Sequence, residues 1–255
     1  LAQLVERCLC KADVRSSNLL GSTSTFLVYG RTVTTWSPVD GGRSYLRALP
    51  VLQGSGPPVD TETVPADPVA LFASWVQDAV TAGVPEPHAM TLSTVDARGL
   101  PRARMLILKA VDEQGWHFAV SAVSQKGRDL AACPAAALTF YWPALVRQVR
   151  ITGAVIEDGT AASAEDFLAR PIGSRAMALT LRQSQPLVDP AELDAEIDKA
   201  RRKLDDDPGL VPDEWKSYTV APGEVEFWQG SPDRRHWRLS YQRVAAGWDR
   251  TRLWP

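Results

Sequence analysis

Cysteine and histidine are scarce, with three of each in 255 residues. Cys8, Cys10 and Cys133 are too few and too scattered for a disulfide framework, so a reducing, cytoplasmic setting is expected. His88, His117 and His236 stand far apart, and no Cys/His spacing of the zinc type occurs. Excess charge is also missing. The formal net charge of -2 argues against a protein held to nucleic acid mainly by phosphate contacts. No apolar run reaches the roughly 20 residues needed to cross a bilayer, so no membrane partner is expected. Internal repeats and low-complexity segments are absent.

What is present fits a packed globular core, with 45% hydrophobic and 23% charged residues. Residues 1–57 read differently from the rest. They show no sustained period and no basic stretch ahead of an apolar segment, as a signal peptide would. The expectation is a flexible N-terminal extension, or a start placed too far upstream, with the working domain over 58–255. Cys8-Leu9-Cys10 lacks the further ligands that a metal or redox site would need.

The most informative stretch is EVEFWQGSPDRRHWRLSYQR, ending at Arg243. Gly230, Pro232 and Asp233 supply turn geometry, so two strands joined there are predicted. Strand alternation would put Arg234, His236 and Arg238 on one face, and Arg235, Trp237, Leu239 and Tyr241 on the other. Two permanent cations beside a group that titrates near neutrality can grip an anion and hold a proton-handling side chain next to it. The same alternation also fits an ordinary half-buried strand with a solvated face.

Upstream, Asp67 and Pro68 predict a helix start, and Gly83 with Pro85 its end. Strands are predicted over 88–95, 102–111, 116–121, 135–141 and 147–157. In RARMLILK, Arg102 and Arg104 share a face with Leu106 and Leu108, while Lys109 falls on the other with Met105 and Ile107. Such charges need either a paired anion or a route to solvent. Ser124 is a predicted N-cap for a short helix carrying Lys126, whose N-terminus suits a phosphate. Helices are expected over 163–169, from a Ser174 cap to about 182, and from Asp189-Pro190 to about 205. Strands close the chain. Many short strands with turn signals and peripheral helices predict an α+β protein, mainly antiparallel, with a closed or nearly closed barrel.

From about residue 65 onward the sequence resembles the pyridoxamine 5'-phosphate oxidase family. The resemblance rests on PADPVALFASWVQDA, RARMLILK, SQKGRDL, LVRQVRITG, FLARPIGS, the RQS at Arg182 to Ser184, EVEFWQG, RRHWRLSYQR and the terminal RLWP. It implies an FMN-binding split β-barrel working as a homodimer, with FMN at the dimer interface. It implies oxidation of pyridoxine or pyridoxamine 5'-phosphate to pyridoxal 5'-phosphate by molecular oxygen, releasing hydrogen peroxide. Arg104, Lys109, Lys126, Gln148, Gln183, Ser184, Trp228 and Arg238 match flavin contacts. Lys109, Arg170 and Ser174 match residues that hold the substrate phosphate, and Arg234 and His236 match the pair that covers the substrate ring.

The chain also departs from the family pattern. Asp166 stands where Tyr is usual, Ala119-Val120 where Tyr-Thr is common, Gln125 where many members have Arg, and Trp237 where a small polar or acidic residue is usual. SQKGR is also similar to relatives in phenazine biosynthesis that oxidise an unphosphorylated tricyclic compound. Two other readings therefore stand beside the first: a flavin oxidase tailoring a secondary metabolite, and a non-catalytic flavin or pyridoxal-phosphate binder.

Overall fold

The computed structural model describes residues 25–28, 31–34, 41–60 and 63–255. The Cys8-Cys10 pair lies outside them. The chain divides into two compact units, Leu1–Val51 and Leu52–Pro255. In the first, strands β1 (Thr25–Val28) and β2 (Arg31–Thr34) pair antiparallel, and a short helix, α1, spans Arg43–Ala48.

The second unit is built on one antiparallel sheet. Its strands are β3 (Ala89–Val95), β4 (Pro101–Ile107), β5 (Ala110–Val111), β6 (Trp116–Ser121), β7 (Ala135–Trp142), β8 (Arg147–Glu157), β9 (Trp215–Gln229), β10 (Trp237–Val244) and β11 (Gly247–Arg252). Their order is β11-β10-β9-β8-β7-β3-β4, with β6 pairing β9 and β5 pairing β6. The 15-residue β9 joins everything. Its first part pairs with β6, its last part with β10, and most of its length with β8. The β8–β9 register shifts between Thr152 and Gly153, where a β-carbon on Gly153 would meet the Ala221 carbonyl oxygen at 2.0 Å. Only glycine allows that approach.

Helix α2 (Pro68–Thr81) closes the sheet's inner face. The Asp67 carboxylate accepts the Val69 N–H and Pro68 opens the first turn, as the sequence predicts. Phe72 meets Phe140 and Trp116 edge-on, with ring centroids 5.0 and 5.6 Å apart, and Trp75 meets Phe227 at 5.1 Å. Offset and edge-on aromatic pairs contribute about 0.5–1.5 kcal/mol each beyond their buried area. Arg147 is 2% exposed and lies 4.3 Å over the Trp75 ring, donating to Asp78 at 2.6 Å, Gln229 at 2.9 Å and the Pro57 carbonyl at 3.0 Å. A buried guanidinium is tolerable because all three of its nitrogens are used.

The remaining helices lie outside the sheet: α3 (Gln125–Ala132), α4 (Thr160–Leu168), α5 (Ile172–Leu179) and α6 (Pro190–Asp206). Several sequence-based boundaries shift: the helix expected over 163–169 spans Thr160–Leu168, and the next ends at Leu179, short of 182. The strand predicted over 102–111 breaks after Ile107, because the Lys109 N–H leaves the β3 ladder for the His117 carbonyl. Ser174 is inside α5, not its cap; Pro171 occupies the cap position. Arg234 and His236 precede β10 instead of lying on it. Arg234 adopts φ 67°, and the Asp233 carboxylate accepts the Arg235 N–H and the Ser231 hydroxyl, which keeps the chain in a turn. No helix among the described residues is long and apolar enough to cross a membrane.

Candidate active site

The site is built from two groups of side chains. The first forms a row across the outer face of the sheet. Gln148 on β8 stands opposite Trp228 on β9, which stands opposite Arg238 on β10. Arg147 points inward, so its neighbour Gln148 points outward by strand alternation. His236 caps the row, its ring centroid 5.0 Å from that of Trp228. Its Nδ1 accepts the Ser231 N–H at 3.0 Å, so in the neutral ring the proton sits on Nε2.

Arg238 is itself held. It donates to Glu226 at 2.9 Å and to the Trp254 carbonyl at 2.9 Å, while Arg150 grips the same carboxylate from the other side. Burial pushes the Glu226 carboxyl up, but hydrogen bonds from Arg238 and Arg150 outweigh it and leave it below the ordinary glutamate value.

The second group surrounds the N-terminus of α3. Ser124 caps the helix by accepting the Gly127 N–H at 3.3 Å, as predicted. That places the Lys126 amine 3.3 Å from the Ser124 hydroxyl and 3.1 Å from Gln183 Oε1. Burial, then the nearby Arg104, lowers the Lys126 ammonium to about 8. Arg104 bonds the Thr94 hydroxyl at 2.7 Å and pairs with Asp129 at 3.4 Å. Asp129 in turn accepts from Gln125 at 2.8 Å. Ser184 adopts φ 73° and its hydroxyl accepts the Gln125 N–H at 3.4 Å.

A cavity of about 570 Å³ opens beside this group. Leu106, Ala119 and Val120 supply apolar wall, and Lys126, Gln183 and Ser121 supply polar wall. A second cavity of about 610 Å³ is lined by Lys109, Asp166 and His117, and Arg170 and Ser174 border both cavities. Two buried polar atoms at the first cavity, Ser121 Oγ and Arg170 Nε, have no hydrogen-bond partner among the described residues. Arg170 stacks 4.2 Å over Trp215; burial lowers its guanidinium and the Asp166 charge opposes that shift.

Thus the structure gathers Arg104, Lys126, Gln183 and Ser184 around α3, with Arg170 and Ser174 at the same cavity and Lys109 at the next. It gathers Gln148, Trp228 and Arg238 in the row, with His236 on Trp228 and Arg234 in the adjoining turn. Neither cavity is lined by a member of the row. Sequence reasoning missed Ser121, Trp215 and Glu226. Asp129 was within reach, because it lies four residues after Gln125 on a helix. Nothing in the local pattern marks Ser121 or Trp215.

The fold is an antiparallel barrel that carries two clusters of cationic side chains. Comparison with known proteins narrows the class. Residues 76–203 match the family described as Pyridoxamine 5'-phosphate oxidase, and residues 215–255 match the Pyridoxine 5'-phosphate oxidase C-terminal dimerisation region. A pyridoxine/pyridoxamine 5'-phosphate oxidase of Pseudomonas paraeruginosa is 46% identical over 193 residues, 75% of this chain and 90% of that protein. One of Thermosynechococcus vestitus is 46% identical over 189 residues, 74% and 89% of the two chains. The structure of PhzG from Burkholderia lata 383, in complex with tetrahydrophenazine-1-carboxylic acid, superposes with a TM-score of 0.72 at 29% identity, covering 79% of this chain and all of that one. The chain belongs to the pyridoxamine 5'-phosphate oxidase family, and its dimerisation region is the β9–β11 end of the sheet.

Proposed function

We propose that the protein is an FMN-dependent oxidase that converts pyridoxine 5'-phosphate or pyridoxamine 5'-phosphate to pyridoxal 5'-phosphate with molecular oxygen, releasing hydrogen peroxide. The observation that carries this reading is the buried Lys126 amine facing a cavity with unpartnered polar atoms, in a chain 46% identical to oxidases of that name. The residues fit FMN. Lys126 and the α3 N-terminus suit its phosphate, the Ser121 hydroxyl suits a polar group along its chain, and Leu106, Ala119 and Val120 suit an aromatic ring system.

Bound FMN supplies the two-electron acceptor that no side chain provides. The chain's own residues bind and orient. Arg170, Ser174 and Lys109 take the substrate's phosphate. Arg234 and His236 cover its ring, and His236 Nε2–H is free to donate to a polar ring substituent. The row Gln148, Trp228 and Arg238 lines neither cavity of its own chain, so in a homodimer we assign it to the flavin held at the partner's Lys126 cluster. The dimerisation region, which contains Trp228 and Arg238, supports this assignment.

The test is a titration of apoprotein with FMN, read by flavin fluorescence, melting temperature and light scattering. A saturable rise in melting temperature on a dimer is expected, because a ligand that binds the folded state stabilises it by mass action. No binding with excess FMN would refute the reading.

A further inference from the structure

The wall between the two cavities carries a group that the oxidase reading leaves unused. Asp166 sits on α4 with Oδ1 3.4 Å from Lys109 Nζ, and its Oδ2 accepts the Trp215 indole N–H at 2.9 Å. It is fixed from two sides and only 14% exposed. Arg170, stacked on the same indole, also feels its charge. The groups that would take a substrate anion therefore carry two positive charges and one negative, net +1. The other ionisable groups facing this cavity are His117 and Asp112 from the β5–β6 hairpin, and Asp158 and Glu165 from α4 and its approach. Asp112 and Asp158 lie against His117 at 2.9 and 3.6 Å, and none of these groups adds a permanent cation to Lys109 and Arg170.

We propose that Asp166 is a specificity-determining residue that sets the anion end of the substrate site for a singly charged anion, the phosphate monoester in its monoanionic form. The proposal rests on the oxidase reading and deepens it. A phosphate monoester loses its second proton with a pKa near 6. The monoanion keeps one P–O–H, which donates to the Asp166 carboxylate. Its charged oxygens accept from Lys109 and Arg170. The dianion has no such donor and meets Asp166 as a like charge.

The test uses FMN-saturated protein and oxygen uptake with pyridoxine 5'-phosphate from pH 5.5 to 7.5, for wild type, Asp166→Asn and Asp166→Glu. In wild type KM should rise about eightfold between pH 5.5 and 7, as the monoanion is depleted, with kcat little changed. Asp166→Asn, whose amide oxygen keeps the Trp215 hydrogen bond, should hold KM within about twofold over that range. It should also lower KM about tenfold at pH 7.5. Asp166→Glu should keep the wild-type slope, and KM for unphosphorylated pyridoxine should not respond to Asp166→Asn. A wild-type KM independent of pH overturns the proposal even if the variants fail to fold, and so does an unchanged slope in folded Asp166→Asn. Wild type that binds FMN but oxidises no pyridoxine 5'-phosphate at any pH overturns the oxidase reading instead.

Discussion

Lys126 Nζ lies 3.1 Å from Gln183 Oε1, joining the first turn of α3 to a loop 57 residues further along the chain. Together with the Ser124 hydroxyl at 3.3 Å, this gives the buried amine two neutral partners and no carboxylate among the described residues. Burial and Arg104 bring its pKa down to about 8. The unfolded chain binds this proton more tightly, so the apoprotein gains stability as pH rises from about 8 towards 10.5.

FMN binding has the opposite dependence, because its phosphate needs the ammonium form. The FMN Kd of wild type is expected to weaken about fifteenfold between pH 8 and 9.5, and that of Lys126→Met to be weaker but flat. Fluorescence titrations across that range check it. Parallel profiles for the two proteins would place the phosphate elsewhere.

Glu226 is nearly buried between Arg150 and Arg238. Its carboxyl lies below the ordinary glutamate value, so its stabilising effect is present above the unfolded pKa and is lost as pH falls through the folded one. Glu226→Gln should cost roughly 2 kcal/mol at pH 7, less than a fully buried pair because Arg150 is half-exposed. The difference from wild type should shrink below pH 4.5. Urea denaturation at pH 7 and pH 4 reads both values, and an equal loss at both would mean that charge is irrelevant there.

Arg234 and His236 sit in the turn before β10, where neither buries apolar surface that the fold requires. Arg234→Ala and His236→Ala should each lower kcat/KM at least about a hundredfold while FMN Kd moves less than about threefold. Steady-state kinetics beside FMN titration separates the two effects. Lost flavin affinity with normal turnover per bound flavin would put the pair in the wrong place.

Much of this architecture is legible in the chain itself. Asp67 and Pro68 start α2, Ser124 starts α3, and β6 and β8 begin and end where alternation places them, because local capping and pleating decide those positions. The pairings that answer Arg102 and Arg104 were not legible: Asp96 comes in by a turn, and Asp129, within reach as a helical neighbour of Gln125, meets Arg104 only through the tertiary placement of α3. The facing of Arg234 and His236 failed for a similar reason: Asp233 side-chain bonds and a left-handed Arg234 replace the first residues of the expected strand. The Asp166 carboxylate could be named as out of pattern, but its Lys109 and Trp215 partners come from elements 57 residues before and 49 residues after it.

The central claim, oxidation of a phosphorylated pyridine alcohol or amine by oxygen on a bound flavin, is tested most directly by oxygen uptake. FMN-loaded protein is mixed with pyridoxine 5'-phosphate in an oxygen electrode, and pyridoxal 5'-phosphate is measured in the same sample. The expected result is oxygen consumption matched mole for mole by pyridoxal 5'-phosphate and hydrogen peroxide. Oxygen uptake no faster than in the FMN-only blank, by a dimer with flavin fully bound, would contradict it.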